Sequence, residues 1–206
     1  MGRDEEHNRR MREDRRRRIL SEAVRLFATR GLGATRVGDI AAAAGMSQGL
    51  LYHYFASKEE IFTDIVRRAF EQMNAAAREL ERAPQPPREK LETMVRQVLR
   101  GIRESEDFVW YSSLISLASI SDATPPEARE ILLREREVPY RAVASIVAAG
   151  QEEGTVGPGD PEDLALLFWT TVKGLALHRV ALGEAFRLPD PSALVRIFAL
   201  RGGDDA

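Results

Sequence analysis

ATRVGDIAAAAGMSQGLLYHYF, residues 34–55, is the stretch that decides the fold. Its apolar positions recur at three and four on both sides of Gly45. This predicts two short helices, over about Val37–Ala44 and Gln48–Tyr54, joined by a tight turn at Ala44-Gly45-Met46-Ser47. Glycine tolerates the positive φ that such a turn needs, and Ser47 is placed to cap the second helix. Ile40, Ala41, Ala44, Met46, Leu50 and Leu51 then pack inward against Phe27 and Phe55, and the small side chains of 41–44 let the two helices approach closely. Gln48, Gly49, Tyr52 and His53 are left on the outward side of the second helix, with Tyr54 beside them. Glutamine pairs bidentately with adenine, while tyrosine and histidine bond phosphate or a base edge. The stretch therefore reads as a helix-turn-helix that meets duplex DNA.

Helical period extends outward from this stretch in both directions, and no segment alternates convincingly with period two. A first helix is expected from about Asp14 to Arg30, ended by Gly31. Ser57-Lys58-Glu59-Glu60 has the form of a capping box and opens a long helix carrying Ile61, Phe62, Ile65, Val66, Ala69, Phe70 and Met73. Pro84, Pro86 and Pro87 break it. Further helices are expected at about Arg88–Glu104, at Asp107–Ile120, and from Pro126 to about Glu153 with a kink or break near Pro139. Asp160-Pro161 and Asp190-Pro191 each pair an N-cap with proline at the first helical position, so two more helices start there. The expectation is an all-α protein of about nine helices. A basic, flexible arm is expected over 1–14, a helix-turn-helix domain over 15–58, and a larger helical domain over 59–206.

Composition narrows the function classes. The 206 residues include 30 basic and 32 acidic side chains and no cysteine, which excludes disulfides, thiolate metal sites and a cysteine nucleophile. Within the net charge of −2, residues 1–58 carry 12 basic against 7 acidic residues, a basic end on an acidic body that suits contact with nucleic acid through one region. The Arg-rich run Arg15–Arg18, with Arg9, Arg10 and Arg12, is either a source of nonspecific phosphate attraction or simply a solvated arm. No signal peptide or membrane span is evident, so a cytoplasmic location is expected. Only His7, His53 and His178 are available for acid–base or metal chemistry, and phosphate-loop and nucleophile-elbow motifs are missing. Neither an enzyme, a metal site nor a cofactor is expected.

The run Ile19-Leu20-x2-Ala23-x2-Leu26-Phe27-x3-Gly31, then Thr35, Ile40-Ala41-x3-Gly45-Met46-Ser47 and Leu51-Tyr52-x-Tyr54-Phe55-x2-Lys58-Glu59, resembles the amino-terminal domain of the tetracycline-repressor (TetR) family. The likeness covers about Arg15–Ile65 and fades from Val66 onward, where only the helix plan is compatible. It implies that Thr35 and Arg36 meet the DNA backbone, that Gln48, Gly49, Tyr52 and His53 face the major groove, and that Tyr54 and Lys58 hold phosphates. It implies, further, that the larger domain binds a small-molecule effector and forms a homodimer, and that the effector releases the repressor from its DNA. Tyr54 stands where histidine is frequent in the family, and Gly38 is a weak helix former inside the first short helix. Both leave the operator sequence undetermined.

The helix predicted from Asp160 to Leu182 is apolar on more than one side, as a helix covered on both faces must be. Leu166, Trp169, Thr170, Gly174, Leu177 and Ala181 form the row assigned to a dimer interface; an internal helix of a monomer is the alternative. Phe70, Met73, Met94, Phe108, Trp110, Leu114 and Tyr140 line a candidate pocket for a hydrophobic or aromatic effector, and serve equally as plain core. The expected function is a ligand-responsive regulator, a repressor, that binds a roughly palindromic operator as a dimer. The alternative is a helical binding or adaptor protein without DNA binding.

Overall fold

The chain folds almost entirely into helices, described for residues 2–198 by a computed structural model. Residues 199–206, the end of the expected second domain, lie outside the described residues. Among the described residues there are ten α-helices: α1 (Gly2–Ala34), α2 (Val37–Ala43), α3 (Gln48–Tyr52), α4 (Lys58–Arg82), α5 (Pro87–Glu104), α6 (Glu106–Ala118), α7 (Pro126–Glu135), α8 (Glu137–Glu152), α9 (Pro161–Leu182) and α10 (Pro191–Val195). Two single 3₁₀ turns, Gly183–Ala185 and Arg196–Phe198, flank the last of these.

One boundary departs from the sequence expectation. α1 begins at Gly2 rather than near Asp14, so residues expected as an arm continue the helix. Its early turns are rich in good helix formers and carry the i,i+4 pair Glu6–Arg10 and the i,i+3 pair Asp14–Arg17. The backbone leaves the helical region at Gly31, at φ 79° and ψ 161°, where the sequence places the stop. The break expected near Pro139 is present. This residue lacks the N–H that would bond the Glu135 carbonyl, and its ring crowds that carbonyl, so the ladder ends at Glu135 and α8 starts at Glu137. Pro139 thereby sits in the first turn of α8, where a missing donor costs nothing. The segment over 126–153 is thus two helices, divided at Arg136, three residues before the proline.

Apolar residues gather into two clusters. The first joins Ile19, Val24 and Phe27 of α1 to Ile40, Leu51, Phe55 and the start of α4, and continues into Leu114 and Ile115 of α6 and Ile131 and Leu132 of α7. The rings of Phe27 and Phe62 meet edge to face at 5.4 Å. Full burial of each such ring contributes about 1.5–3 kcal/mol. The second cluster packs α5, α8, α9 and the chain end, with Leu91, Val95, Ile146, Phe168 and Phe198 at its centre. The hydrophobic core therefore does not divide at residue 58. The first half of α4, α6 and α7 belong with the helix-turn-helix, and this rigidly couples it to the body.

Candidate functional site

Local chemistry builds the turn between α2 and α3. Gly45 adopts φ 69°, its N–H donates to the Ala42 carbonyl at 3.1 Å, and the Met46 N–H donates to the Ala41 carbonyl at 2.9 Å. The Ser47 hydroxyl then accepts from the Leu50 N–H at 3.2 Å and caps α3. Leu51 is fully buried, which anchors the inner face of α3 and fixes its rotation. With that rotation set, Gln48, Gly49, Tyr52 and His53 are all exposed, Tyr52 to 48%. These four residues form a polar and aromatic face of one short helix, with the shape and donor set for a major groove.

The flanking residues fall into two groups. Arg36 is exposed at the start of α2, where its N–H donates to Asp39 Oδ2 at 3.3 Å. Thr35, expected at the DNA backbone, is fully buried instead; its hydroxyl donates to the Gly31 carbonyl at 2.8 Å and so closes the end of α1. Lys58, expected on a phosphate, is committed elsewhere as well. Its ammonium donates to the carbonyls of Leu32, Gly33 and Thr35 at 2.8, 3.2 and 3.0 Å, which occupies all three of its N–H donors. Lys58 clamps the start of α4 to the α1–α2 turn. Glu60 completes the start of α4, since its N–H donates to Ser57 Oγ at 3.1 Å and its carboxylate takes the Ala56 N–H at 2.6 Å.

Tyr54 is half-buried, and α1 holds it through two members of the Arg15–Arg18 run. Arg15 donates to the Tyr54 hydroxyl at 3.4 Å. Arg16 donates to the Tyr54 carbonyl at 2.9 Å and stacks over the Phe55 ring at 4.0 Å. A cleft of about 520 Å³ opens between the early turns of α1 and the end of α3, bordered by His7, Arg12, Arg15, His53 and Tyr54. The arginine density of α1 signals this basic wall in the sequence; its position beside α3 follows only from the fold.

Arg16 also reaches α4. Its second terminal nitrogen donates to Asp64 Oδ2 at 3.2 Å, and Arg68 donates to the same oxygen at 3.2 Å. Arg67 takes the other carboxylate oxygen at 3.2 Å and pairs with Glu127 of α7 at 2.7 Å. Asp64 is 7% exposed, so this shared carboxylate is the polar joint between α1, α4 and α7.

Arg68 borders a cavity of about 1290 Å³ walled by α4, α5, α6, α8 and α9. Phe70, Met73, Met94, Phe108 and Tyr140 line it. Trp110 and Leu114 are not among its lining residues; they pack in the first hydrophobic cluster. Periodicity marks a position as buried without saying which neighbour covers it. Trp169, expected at an interface, also borders the wall: its indole N–H donates to the Pro139 carbonyl at 3.1 Å and its ring meets Phe168 at 5.2 Å. Tyr111 also borders the cavity; burial, and secondarily the Asp107 carboxylate, raise its pKa above the ordinary tyrosine value, so its hydroxyl stays a donor near neutral pH.

α9 buries Ala165, Phe168, Val172 and Ala176 against its own subunit. Its other side presents Leu166 at 52% exposure and Leu167 at 56%, followed by Thr170, Gly174, Leu177 and Ala181, which are exposed or half-exposed. Nothing lies within 4 Å of where a Gly174 side chain would project. Among the described residues no helix is long and apolar enough to cross a membrane, and no group of three acidic or histidine side chains is placed to hold a metal ion.

A capped second helix presenting its polar face from a helix-turn-helix, joined through one long helix to a walled cavity, defines a regulator of the helix-turn-helix class. Residues 19–65 match the family described as bacterial regulatory proteins, tetR family. Over 165 residues it is 28% identical to the HTH-type transcriptional repressor KstR2 of Mycobacterium tuberculosis (strain ATCC 25618 / H37Rv), an alignment covering 77% of this chain and 80% of that one. The MbdR regulator from Azoarcus sp. CIB shares the fold with a TM-score of 0.76 at 23% identity, over 90% of this chain and 98% of that chain. AibR, solved in complex with isovaleryl coenzyme A and operator DNA, does so with a TM-score of 0.68 at 19% identity, over 90% of this chain and 97% of that chain. At these identities the structural likeness is one of fold.

Proposed function

We propose that the protein is a ligand-responsive transcriptional repressor, acting in the cytoplasm by binding rather than by turnover, and reading a roughly palindromic operator as a homodimer. The observation that carries this is the double role of α4. Its first residues are clamped under the helix-turn-helix by Lys58, and from ten residues on, its side chains border the large cavity. The repressor name of the M. tuberculosis relative supports the sign of regulation. AibR, solved with isovaleryl coenzyme A and operator DNA together, supports a fold able to hold both.

In this reading Arg36, Gln48, Gly49, Tyr52, His53 and Tyr54 make the DNA contact, and Thr35 and Lys58 position the elements that bear them. The domain over 59–206 supplies the effector cavity and the dimer contact. Release travels along the chain of contacts from Arg68 through Asp64 and Arg16 to the carbonyl of Tyr54. An effector displaces the equilibrium only by binding the released arrangement more tightly than the DNA-bound one. Selection of fragments from random duplex DNA by the purified protein, repeated with cell extract, tests the proposal. Enrichment of an inverted repeat that extract then releases is the expected result, and no enrichment at low ionic strength overturns it.

A further inference from the structure

We propose that the cavity is built for an anionic amphiphile, an apolar body carrying one carboxylate or equivalent oxyanion, with Lys173 as the anionic group's anchor. This rests on the reading of the cavity as an effector site and names the effector's chemical class.

The wall is mostly apolar, with Phe70, Met94, Val98, Phe108, Trp169 and Val172 among its residues. Its volume, about 1290 Å³, exceeds the roughly 300–1,000 Å³ common for drug-sized ligands, so there is room for a long chain or several fused rings. Lys173 of α9 borders this chamber and is half-buried. Its ammonium donates to the Tyr140 hydroxyl at 2.9 Å and lies 5.3 Å from that ring's centre. Among the described residues no carboxylate stands within the 4.0 Å of an ion pair with Lys173. Two of its three N–H donors are unused, and the Tyr140 hydroxyl, having accepted from Lys173, still has its own proton to donate.

A partly buried ammonium without a counter-charge is costly, and a ligand oxyanion at this point supplies the missing partner. The same ammonium, placed beside the Tyr140 hydroxyl, puts positive charge at this end of the chamber and so works against a cationic ligand there.

The remaining charges at the cavity agree with this polarity. Glu137 is neutralised by Arg141, Arg17 pairs with Asp14, and Arg68 shares the Asp64 carboxylate with Arg16 and Arg67. Arg136 stands one helical turn before Tyr140 and adds positive charge on the same side. Glu162 and Asp163 are exposed and lie in the first turn of α9, at least ten residues or about 15 Å along the axis from Lys173. Asp107 is also exposed, at the start of α6, and accepts from Ser21 at 3.3 Å. The oxyanion is therefore directed to the Lys173 end, and the apolar body to the aromatic and methionine wall.

Binding of decanoate, 1-decanol and decylamine to the full-length protein, read by displacement of 1-anilinonaphthalene-8-sulfonate fluorescence, tests this. Decanoate is expected to bind at least about tenfold more tightly than either analogue of the same chain length. Lys173→Gln is expected to remove that preference while leaving 1-decanol binding within about twofold, and Lys173→Arg to restore most of it. Equal affinity for the three compounds, absence of saturable binding of both the sulfonate probe and decanoate, or an equal loss for decanoate and 1-decanol in Lys173→Gln each overturns it. Decanoate that binds through Lys173 without releasing operator DNA leaves the cavity chemistry standing and removes the regulator reading instead.

Discussion

Lys58 shows how much a single side chain's destination matters. Its three carbonyl partners all lie in the 32–35 turn, so the ammonium stitches α4 to the end of α1 and cannot reach a phosphate without breaking that stitch. Lys58→Met is therefore expected to destabilise the protein by about 1–3 kcal/mol, because charged hydrogen bonds are lost and carbonyls are left unpaired. Urea unfolding measures this. Operator affinity falls with it, yet the slope of log affinity against log salt stays the same, whereas loss of a phosphate contact would lower that slope by about 1. Gln48 is the opposite case, exposed at the start of α3. Gln48→Ala is expected to relax preference at a single base position, costing about 1–3 kcal/mol there, as read from binding to a panel of singly substituted operators. The outward set on α3 was legible from periodicity because Leu50, Leu51 and Gly45 settle the rotation of a short helix by themselves. Thr35 and Lys58 were not, because the acceptors that claim their donors lie up to 26 residues away in sequence.

At the scale of elements, most starts and stops were written in local chemistry. Asp160-Pro161 and Asp190-Pro191 open α9 and α10 with the capping bonds their residue types imply, Asp160 accepting from the Glu162 N–H and Asp190 from the Ser192 N–H, each at 2.8 Å. The coupling between elements was hidden, since nothing in Arg16 or Asp64 alone says that they meet across 48 residues. Arg16 touches Tyr54, Phe55 and Asp64 at once, so it transmits the position of α4 to the end of the reading helix. A double-mutant cycle of Arg16→Gln and Asp64→Asn, read on operator affinity, isolates this joint. Each single change is expected to weaken binding, and the pair to be non-additive by about 0.5–3 kcal/mol, as for residues acting through one shared contact. Strict additivity would mean that the two act on DNA by separate routes.

For the whole molecule, the decisive feature is the outer face of α9. Leu166, Thr170, Gly174 and Ala181 recur at helical spacing along it, and Leu166 is 52% exposed in the single chain. An apolar row around a small Gly174 suits close approach to an identical helix, and a two-fold pairing sets one residue against its own symmetry-related region. The sequence pattern revealed a second apolar side of α9 with Trp169 on it; in the three-dimensional structure Trp169 donates to the Pro139 carbonyl, and Leu167 is exposed. Leu166→Glu tests the arrangement at little cost to the subunit itself, because the side chain is already half in solvent. Two carboxylates brought near the same axis repel, and neither has a basic partner on the neighbouring turns of α9. Light scattering is expected to report a monomer, with circular dichroism unchanged in helix content. Operator affinity is then expected to fall by about 10²–10⁴-fold, the advantage of joining two half-site contacts into one complex. A duplex carrying one half-site, by contrast, binds the variant and the parent alike when compared per subunit. A variant that remains dimeric places the twofold contact away from this face of α9, and the operator geometry argued from it goes with it.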